Sequence, residues 1–402
     1  MGSIGKNNEY IQRENQRVIL QILSEQEFCT RAELSRKTGL TQAAITKIIS
    51  RLIEKGVVQE TGLVEGRGGR RSIGISLNAD KYKIMGVKIA RKSFDVAIFN
   101  FRSELLQQVH KIINISLGAR SAVESIRQEM QQMIREHSNV VAIGIVVPGP
   151  YLSKKGRVAI MSEFSGWEEI NICEEFANTF DLPVFIEHDA NAGALALWHY
   201  KKERHGSGTL VHFLASEGIG AGVVMDGHLL RGSSGIAGEV GHMSINMHGP
   251  KCACGNCGCL EGYSSSIAFA KRTKELLRKH PESSLRNEKR ITAATIFAHM
   301  NAGDAFSQER VRDVGRYIGY GLANVTYLYD PDEIVITDIM TGGGEVMLNA
   351  IKETVQQRVL PELYENISIR LERAEVDVIL AGAAALATEG ILAQPEILCG
   401  ID

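Results

Sequence analysis

Between residues 238 and 262 the chain reads GEVGHMSINMHGPKCACGNCGCLEG, which brings His242 and four cysteines together between two carboxylates, Glu239 and Glu261. Thiolate and imidazole are the donors zinc prefers, and a structural zinc takes four of them in a tetrahedron. Cys252, Cys254 and Cys259 form a C-x-C-x4-C hook, and His242, ten residues before it, closes a Cys3His set; Cys257 is then a spare. The competing reading is a thiol-rich loop paired as disulfides. Elsewhere the chain has only Cys29, Cys173 and Cys399, and no leader is read at the N-terminus, so a reducing compartment and a bound metal are the expectation. Four protein ligands leave no open coordination position, so one zinc per chain is expected to brace this loop rather than to do chemistry.

Such a loop needs a well-packed scaffold around it. At 402 residues and 44% hydrophobic content the chain can bury sizeable cores in two or three domains. No apolar run approaches the ~18 to 20 residues needed to cross a bilayer, so a cytoplasmic protein with no membrane partner is expected. The net charge of −2 says little. Its distribution says more, because Arg31, Arg36, Lys37, Lys47, Arg51, Lys55, Arg67, Arg70 and Arg71 face only Glu33, Glu54, Glu60 and Glu65 over the same stretch. A basic module on a mildly acidic body points to a polyanion at one end.

That module has helix-turn-helix grammar. Residues 9–24 have helical apolar spacing; Thr30-Arg31-Ala32-Glu33 is a capping box that starts a short helix ending near Gly39; Thr41 caps a third. In the third, Ile45, Ile48, Ile49, Leu52 and Ile53 share one face, while Gln42, Ala43, Thr46, Lys47, Ser50 and Arg51 look outward and Gly56 ends the run. A single helix fits the major groove, and Gln42, Ala43, Thr46, Lys47 and Arg51 are the residues expected to meet DNA. VVQET (57–61) and SIGISL (72–77) alternate like paired strands around GLVEGRGGRR, a wing whose Arg67, Arg70 and Arg71 suit a narrow minor groove. The alternative is an ordinary three-helix module with a solvated turn.

From Lys83 onward, apolar strands alternate with helices: KIMGVKIARKSFDVAIFNF as strand, turn and strand; 119–137 as a helix; VVAIGIVVPG as a buried strand; FIEHDANAGALALWHY as a strand running into a helix; TLVHFLASEGIGAGVVMDG as strand, glycine turn and strand. This is α/β organisation in two lobes. The order winged helix-turn-helix, VVPGP, EHDANAGA, EGIGAGV, GEVGH and CACGNCGCLEG resembles the ROK family (repressor, open reading frame, kinase), specifically its repressor branch, along essentially the whole chain. The resemblance implies an actin-like, sugar-kinase-type body with a sugar cleft between the lobes, and zinc on His242, Cys252, Cys254 and Cys259. The implied domains are 1–80 for DNA binding, 83–188 plus about 375–402 for the first lobe, and 189–374 for the second lobe with the zinc site and a dimerisation surface.

Family kinases carry D-x-G-G-T in the first β-turn-β. Here the corresponding stretch is Met85-Gly86-Val87-Lys88-Ile89-Ala90, without the paired glycines or the acid, and the second phosphate loop reads Ser216-Glu217-Gly218-Ile219-Gly220-Ala221-Gly222. Glu217 puts a carboxylate where a threonine would face phosphate; like charges at ~4 Å cost on the order of 4 kcal/mol at an effective dielectric of 20, so no ATP is expected. The sugar half is better kept. Asp189 matches the family's catalytic base, which in a repressor survives as a hydrogen-bond acceptor, and Glu239, His242 and Glu261 match positions that line the sugar. His188 stands where the kinases usually have asparagine. In SEFSGW (162–167), Trp167 could close over the sugar or anchor a buried loop, and Asn324 and Tyr327 read as core. The resulting expectation is a non-enzymatic repressor: a homodimer, with a tetramer as the alternative, on double-stranded operator DNA, with a sugar effector at His188, Asp189, Glu239, His242 and Glu261. The rivals are an ATP-dependent sugar kinase with an accessory DNA module, and a repressor controlled by a protein partner.

Overall fold

Thr30 and Glu33 form the expected reciprocal cap: Glu33 N–H donates to Thr30 Oγ1 at 3.2 Å and Thr30 N–H to Glu33 Oε2 at 2.9 Å. In the computed structural model, which describes residues 8–24, 26–65, 71–159, 164, 166–200 and 207–399, this cap starts α2 (Arg31–Thr38), preceded by α1 (Asn8–Ser24) and followed by α3 (Gln42–Glu54). Ala44 N–H donates to Thr41 Oγ1 at 3.2 Å to open α3, and Ile45, Ile48, Ile49 and Leu52 pack under it with Ile19, Leu20 and Leu23 of α1.

The wing is a three-stranded sheet ordered β1 (Cys29–Thr30), β3 (Arg71–Leu77), β2 (Val58–Glu65). Two features differ from the sequence reading. The short β1 pairs with β3 on the edge away from β2, and β2 runs on to Glu65 through a register shift between Glu60 and Leu63, so half of the expected loop is strand. A bulge lets the strand continue past Gly62, where alternation alone ends it.

The body repeats one topology twice. In the first sheet β4 (Lys83–Ile89), β5 (Ser93–Asn100) and β6 (Leu105–Ile112) form an antiparallel meander, and β7 (Val140–Val147) and β8 (Val184–His188) add parallel to β4, giving the order β8-β7-β4-β5-β6. In the second, β9 (Thr209–Ala215), β10 (Ile219–Met225) and β11 (His228–Leu229) are the meander, and β12 (Glu333–Thr337) and β13 (Ser368–Leu371) add parallel to β9. The third strand of the first meander, β6, was not expected: its LLQQVHKI is largely exposed at the sheet edge and lacks a clear apolar face.

Helix α4 (Gly118–Glu136) covers one face of the first sheet and shares a core with it that includes Trp167 and Phe164. The short α5 (Ile172–Ala177) closes that core. α6 (Asp189–Tyr200) follows β8 without a gap; α7 (Ala305–Tyr329) and α8 (Gly344–Gln356) pack on the second sheet; α9 (Val378–Leu392) is buried along most of its length. Asn324 and Tyr327, read as core, are exposed on α7: the helix buries the stripe of Leu322, Val325 and Thr326 and turns the next positions to solvent. Among the described residues no helix is long and apolar enough to cross a membrane.

Candidate sugar cleft, metal centre and DNA-reading surface

Open α/β sheets hold ligands at the carboxyl ends of their parallel strands. β8 ends at His188 and α6 begins at Asp189, so both side chains emerge at such an end and line a cavity of about 270 Å³. The same cavity receives Glu239, His242 and Glu261, so all five sequence-selected sugar residues meet there.

Their electrostatics are closely set. His188 Nε2 lies 3.0 Å from Asp189 Oδ1 and 3.9 Å from Glu239 Oε1. Burial opposes the imidazolium, but Asp189, Glu239 and Glu187 outweigh it and lift His188 from its ordinary range to about 9. Glu239 is raised, chiefly by burial, against the opposing pull of His188 and His242. Its Oε1 is buried and has no hydrogen-bond partner, while Glu261 Oε2 accepts from the Ile219 N–H at 2.9 Å. An unpartnered buried acceptor facing a cavity wants a donor such as a sugar hydroxyl.

Some supporting residues escaped the sequence reading. Buried Glu187 accepts from Asn191 Nδ2 (3.0 Å), the His188 N–H (3.0 Å) and Arg231 Nε (2.7 Å), and so fixes the β8–α6 junction. Its position inside EHDAN was the only available signal. At Gly149 a Cβ would sit 2.5 Å from His188 Nε2 and 2.6 Å from Glu239 Oε1, so only glycine lets this loop pass over the pair. His212 lies behind the site: its Nδ1 donates to the Ala190 carbonyl and its Nε2 accepts from the Thr337 hydroxyl, each at 2.7 Å. Trp167 does not reach the cavity; it is fully buried and meets Phe164 edge to face at 5.9 Å. Residues 162, 163 and 165 of its loop lie outside the described residues.

The β4–β5 turn lines the cavity with Ala90, Arg91, Lys92 and Ser93, and Lys88 reaches it from β4. Lys88 Nζ pairs with Asp377 Oδ2 at 2.5 Å; burial opposes its charge, but Asp377, Asp338 and Asp189 hold it above its usual value. These cations offset the repulsion that Glu217 alone suggests toward a phosphate. The turn itself is bulkier than a phosphate cradle and lacks the paired glycines.

One ligand atom from each of His242, Cys252, Cys254 and Cys259 lies within 4.8 Å of the others. His242 Nδ1 is 3.6 Å from Cys252 Sγ, and Cys254 Sγ is 3.7 Å from Cys259 Sγ. A tetrahedron with ligand bonds of about 2.0 to 2.3 Å has edges of about 3.5 to 3.8 Å, so these two edges already have the length that zinc ligation needs. Gly258, at φ +69°, makes the hook possible, since a Cβ there would lie 1.7 Å from the Asn246 carbonyl. Cys257 stands outside the set, with its N–H bonded to Asn256 Oδ1 at 2.8 Å.

On the DNA-binding module, Gln42, Ala43, Thr46 and Lys47 are exposed on the outer face of α3, Arg51 is half-buried one turn on, and Arg71 is exposed at the start of β3. Arg67 and Arg70 lie outside the described residues.

A winged helix-turn-helix joined to a duplicated, two-lobed actin-like body of the sugar-kinase type defines the class of protein. Residues 84–390 match the ROK family model and residues 12–59 a winged helix-turn-helix DNA-binding model, and the chain belongs to the ROK family. It is 27% identical over 399 residues to a xylose repressor of Caldicellulosiruptor bescii, covering 97% of this chain and 99% of that one. It is also 27% identical over 395 residues to the DNA-binding transcriptional dual regulator NagC of Escherichia coli, covering 96% and 95%. The crystal structure of a ROK family transcriptional regulator, a homolog of the E. coli MLC protein, superposes with a TM-score of 0.84 at 25% identity, over 97% of this chain and all of that one. A ROK glucokinase from Streptomyces griseus, crystallised with glucose and AMPPNP, shares the fold of the body: TM-score 0.68, 24% identity, 76% of this chain and 99% of that one.

Proposed function

We propose that this protein is a sugar-responsive, DNA-binding transcriptional repressor of sugar uptake or metabolism genes, and that it is not an enzyme. The observation that carries the reading is the unpartnered Glu239 Oε1, buried beside His188 and Asp189 in a cavity of about 270 Å³, on a chain whose other end exposes a reading helix. Names of the relatives support it: a xylose repressor, a DNA-binding transcriptional dual regulator and a ROK family transcriptional regulator.

Sugar hydroxyls donate to Glu239, Asp189 and Glu261, with His188 and His242 completing the contacts. His242, Cys252, Cys254 and Cys259 would hold a zinc that braces the loop, with one ring nitrogen of His242 on the metal and the other left for the cavity. Gln42, Ala43, Thr46, Lys47 and Arg51 read the major groove, and Arg67, Arg70 and Arg71 of the wing enter a narrow minor groove. The DNA-binding domain covers 1–80, the first lobe 83–188 with about 375–402, and the second lobe 189–374. Two copies pair through the second lobe and place their reading helices about 34 to 36 Å apart, or a multiple, to enter successive major grooves. If sugar and DNA favour different arrangements, each weakens the other by the same factor.

The deciding experiment is fluorescence anisotropy of the duplex from upstream of the protein's own gene, with monosaccharides titrated into the complex. Release or tightening by one sugar carries the reading. Sugar-dependent ATP consumption abolished by Asp189→Asn would replace it with a kinase.

A further inference from the structure

Two helices start at the cavity and run toward the DNA-binding module, α9 to contact it and α6 to the edge of a second cavity beside it. α6 begins with Asp189, and α9 begins beside Asp377, with Ile379 on the cavity wall. At 1.5 Å per residue they are about 18 and 22 Å long. They run parallel and touch backbone to backbone: a Cβ on Gly382 would lie 2.1 Å from the Ala192 carbonyl oxygen. Ala190, Ala192, Ile379 and Ala383 share one small core, and farther on Ala194 and Leu197 pack with Ala381 and Leu386. At the far end His199 Nε2 meets Glu389 Oε1 at 2.6 Å. Contacts this close between small residues leave little room for one helix to slide on the other.

The far end of α9 supports α1: Ala387, Ile391 and Leu392 belong to the same core as Ile19, Leu20 and Leu23 of the DNA-binding module. Beside that contact lies a second cavity of about 330 Å³, walled by Ala385, Thr388 and Leu392 on one side and by Leu23, Gln26 and Glu27 on the other. Its polar walls are partly satisfied locally, as Thr388 Oγ1 donates to the Ala384 carbonyl at 2.9 Å. α9 thus meets the module along one edge and is parted from it by open space along the next.

We propose that α6 and α9 form a single strut that carries the state of the sugar cleft to the DNA-binding module, and that the cavity at its far end is the room into which the module shifts. This rests on the sugar-responsive reading above. A coupling element needs two arrangements that both ligands bias, and the solvent-open space between α9 and the module leaves room for a second arrangement that close packing there would forbid.

Filling the void tests this. In the full-length protein, Ala385→Phe places a ring in the cavity; Thr388→Met is a smaller filler on the same wall should the ring not be accommodated. Neither position touches the sugar cleft or α3. The probes are D-xylose and N-acetyl-D-glucosamine, and the DNA is the tightest duplex selected from a random pool by the wild-type protein. For wild type the sugar is expected to change DNA affinity by about 5- to 150-fold, the usual range of such coupling. In the filled variants both ligands still bind, each within about threefold of wild type, and the sugar effect on DNA falls to within about twofold of unity. Filled variants that bind both ligands and keep the wild-type ratio overturn the strut. Absence of any sugar effect in wild type itself overturns the sugar-responsive reading, and the strut with it, and is recognised before any variant is made.

Discussion

His188 Nε2 lies 3.0 Å from Oδ1 of Asp189, its neighbour in the chain. In a sugar kinase an aspartate at the cleft serves as a base, which requires a lone pair free for a proton. Here the carboxylate is paired with an imidazole whose surroundings favour its charged form, and in the proposed repressor it orients a sugar hydroxyl.

That pair gives the stability of the unliganded protein a pH signature. His188, raised to about 9 against the cost of burial by Asp189, Glu239 and Glu187, contributes stability fully present below its unfolded value near 6.5 and lost as pH rises through about 9. His212 behaves oppositely: burial, opposed mainly by its bond to the Ala190 carbonyl, lowers it to about 4, so its contribution is present above 6.5 and lost as pH falls toward 4. Each limb is worth on the order of 3 kcal/mol. Urea unfolding from pH 5 to 9 should show a maximum near 6.5, and His188→Gln should flatten the alkaline limb only. An unchanged alkaline limb in that variant would refute the ion-paired His188.

Glu239→Gln and Asp189→Asn should each weaken sugar binding by about 10- to 100-fold, the range for losing a hydrogen bond to a charged group. DNA affinity without sugar should stay within about twofold. Calorimetry with the responsive sugar and anisotropy with the operator check both halves; a loss of DNA binding in parallel would mean that the changes unfold the junction.

Zinc should be present at one equivalent per chain and fall to background in Cys254→Ser, while Cys257→Ser keeps it. Burial and the neighbouring Cys252 and Cys254 thiols push Cys259 up to about 12 without metal, so loading releases protons and weakens as pH falls. Elemental analysis with thermal unfolding is the measurement. Metal content and melting temperature unaffected by Cys254→Ser would discard the assignment.

On the DNA side the exposed positions divide by role. Gln42→Ala should cost about 1–3 kcal/mol on the cognate site and relax specificity at one base, whereas Arg71→Ala should weaken binding to all sequences and lower the salt slope by about 1. Binding curves at several salt concentrations on cognate and scrambled duplexes separate the two; equal losses on both duplexes for Gln42→Ala would remove it from base reading.

Local chemistry made much of this protein legible from its residues. The Thr30–Glu33 capping box, the apolar stripe of α3 and the His242–Cys259 hook are short-range patterns, determined by hydrogen bonds, helical periodicity and ligand spacing within some twenty residues. The motif order also identified the family and nominated the five cleft residues. Tertiary structure decided what depends on contacts between distant segments. Edge strands such as β1 and β6 are defined by their partners rather than by their own pattern, and the exposure of Tyr327 follows from which face of α7 meets the sheet. The charge on His188 arises from carboxylates 187, 189 and 239, and the role of Lys88 from Asp377, 289 residues away. Burial and long-range Coulomb interactions exist only once the chain is folded, which is why these features had no signature in the sequence.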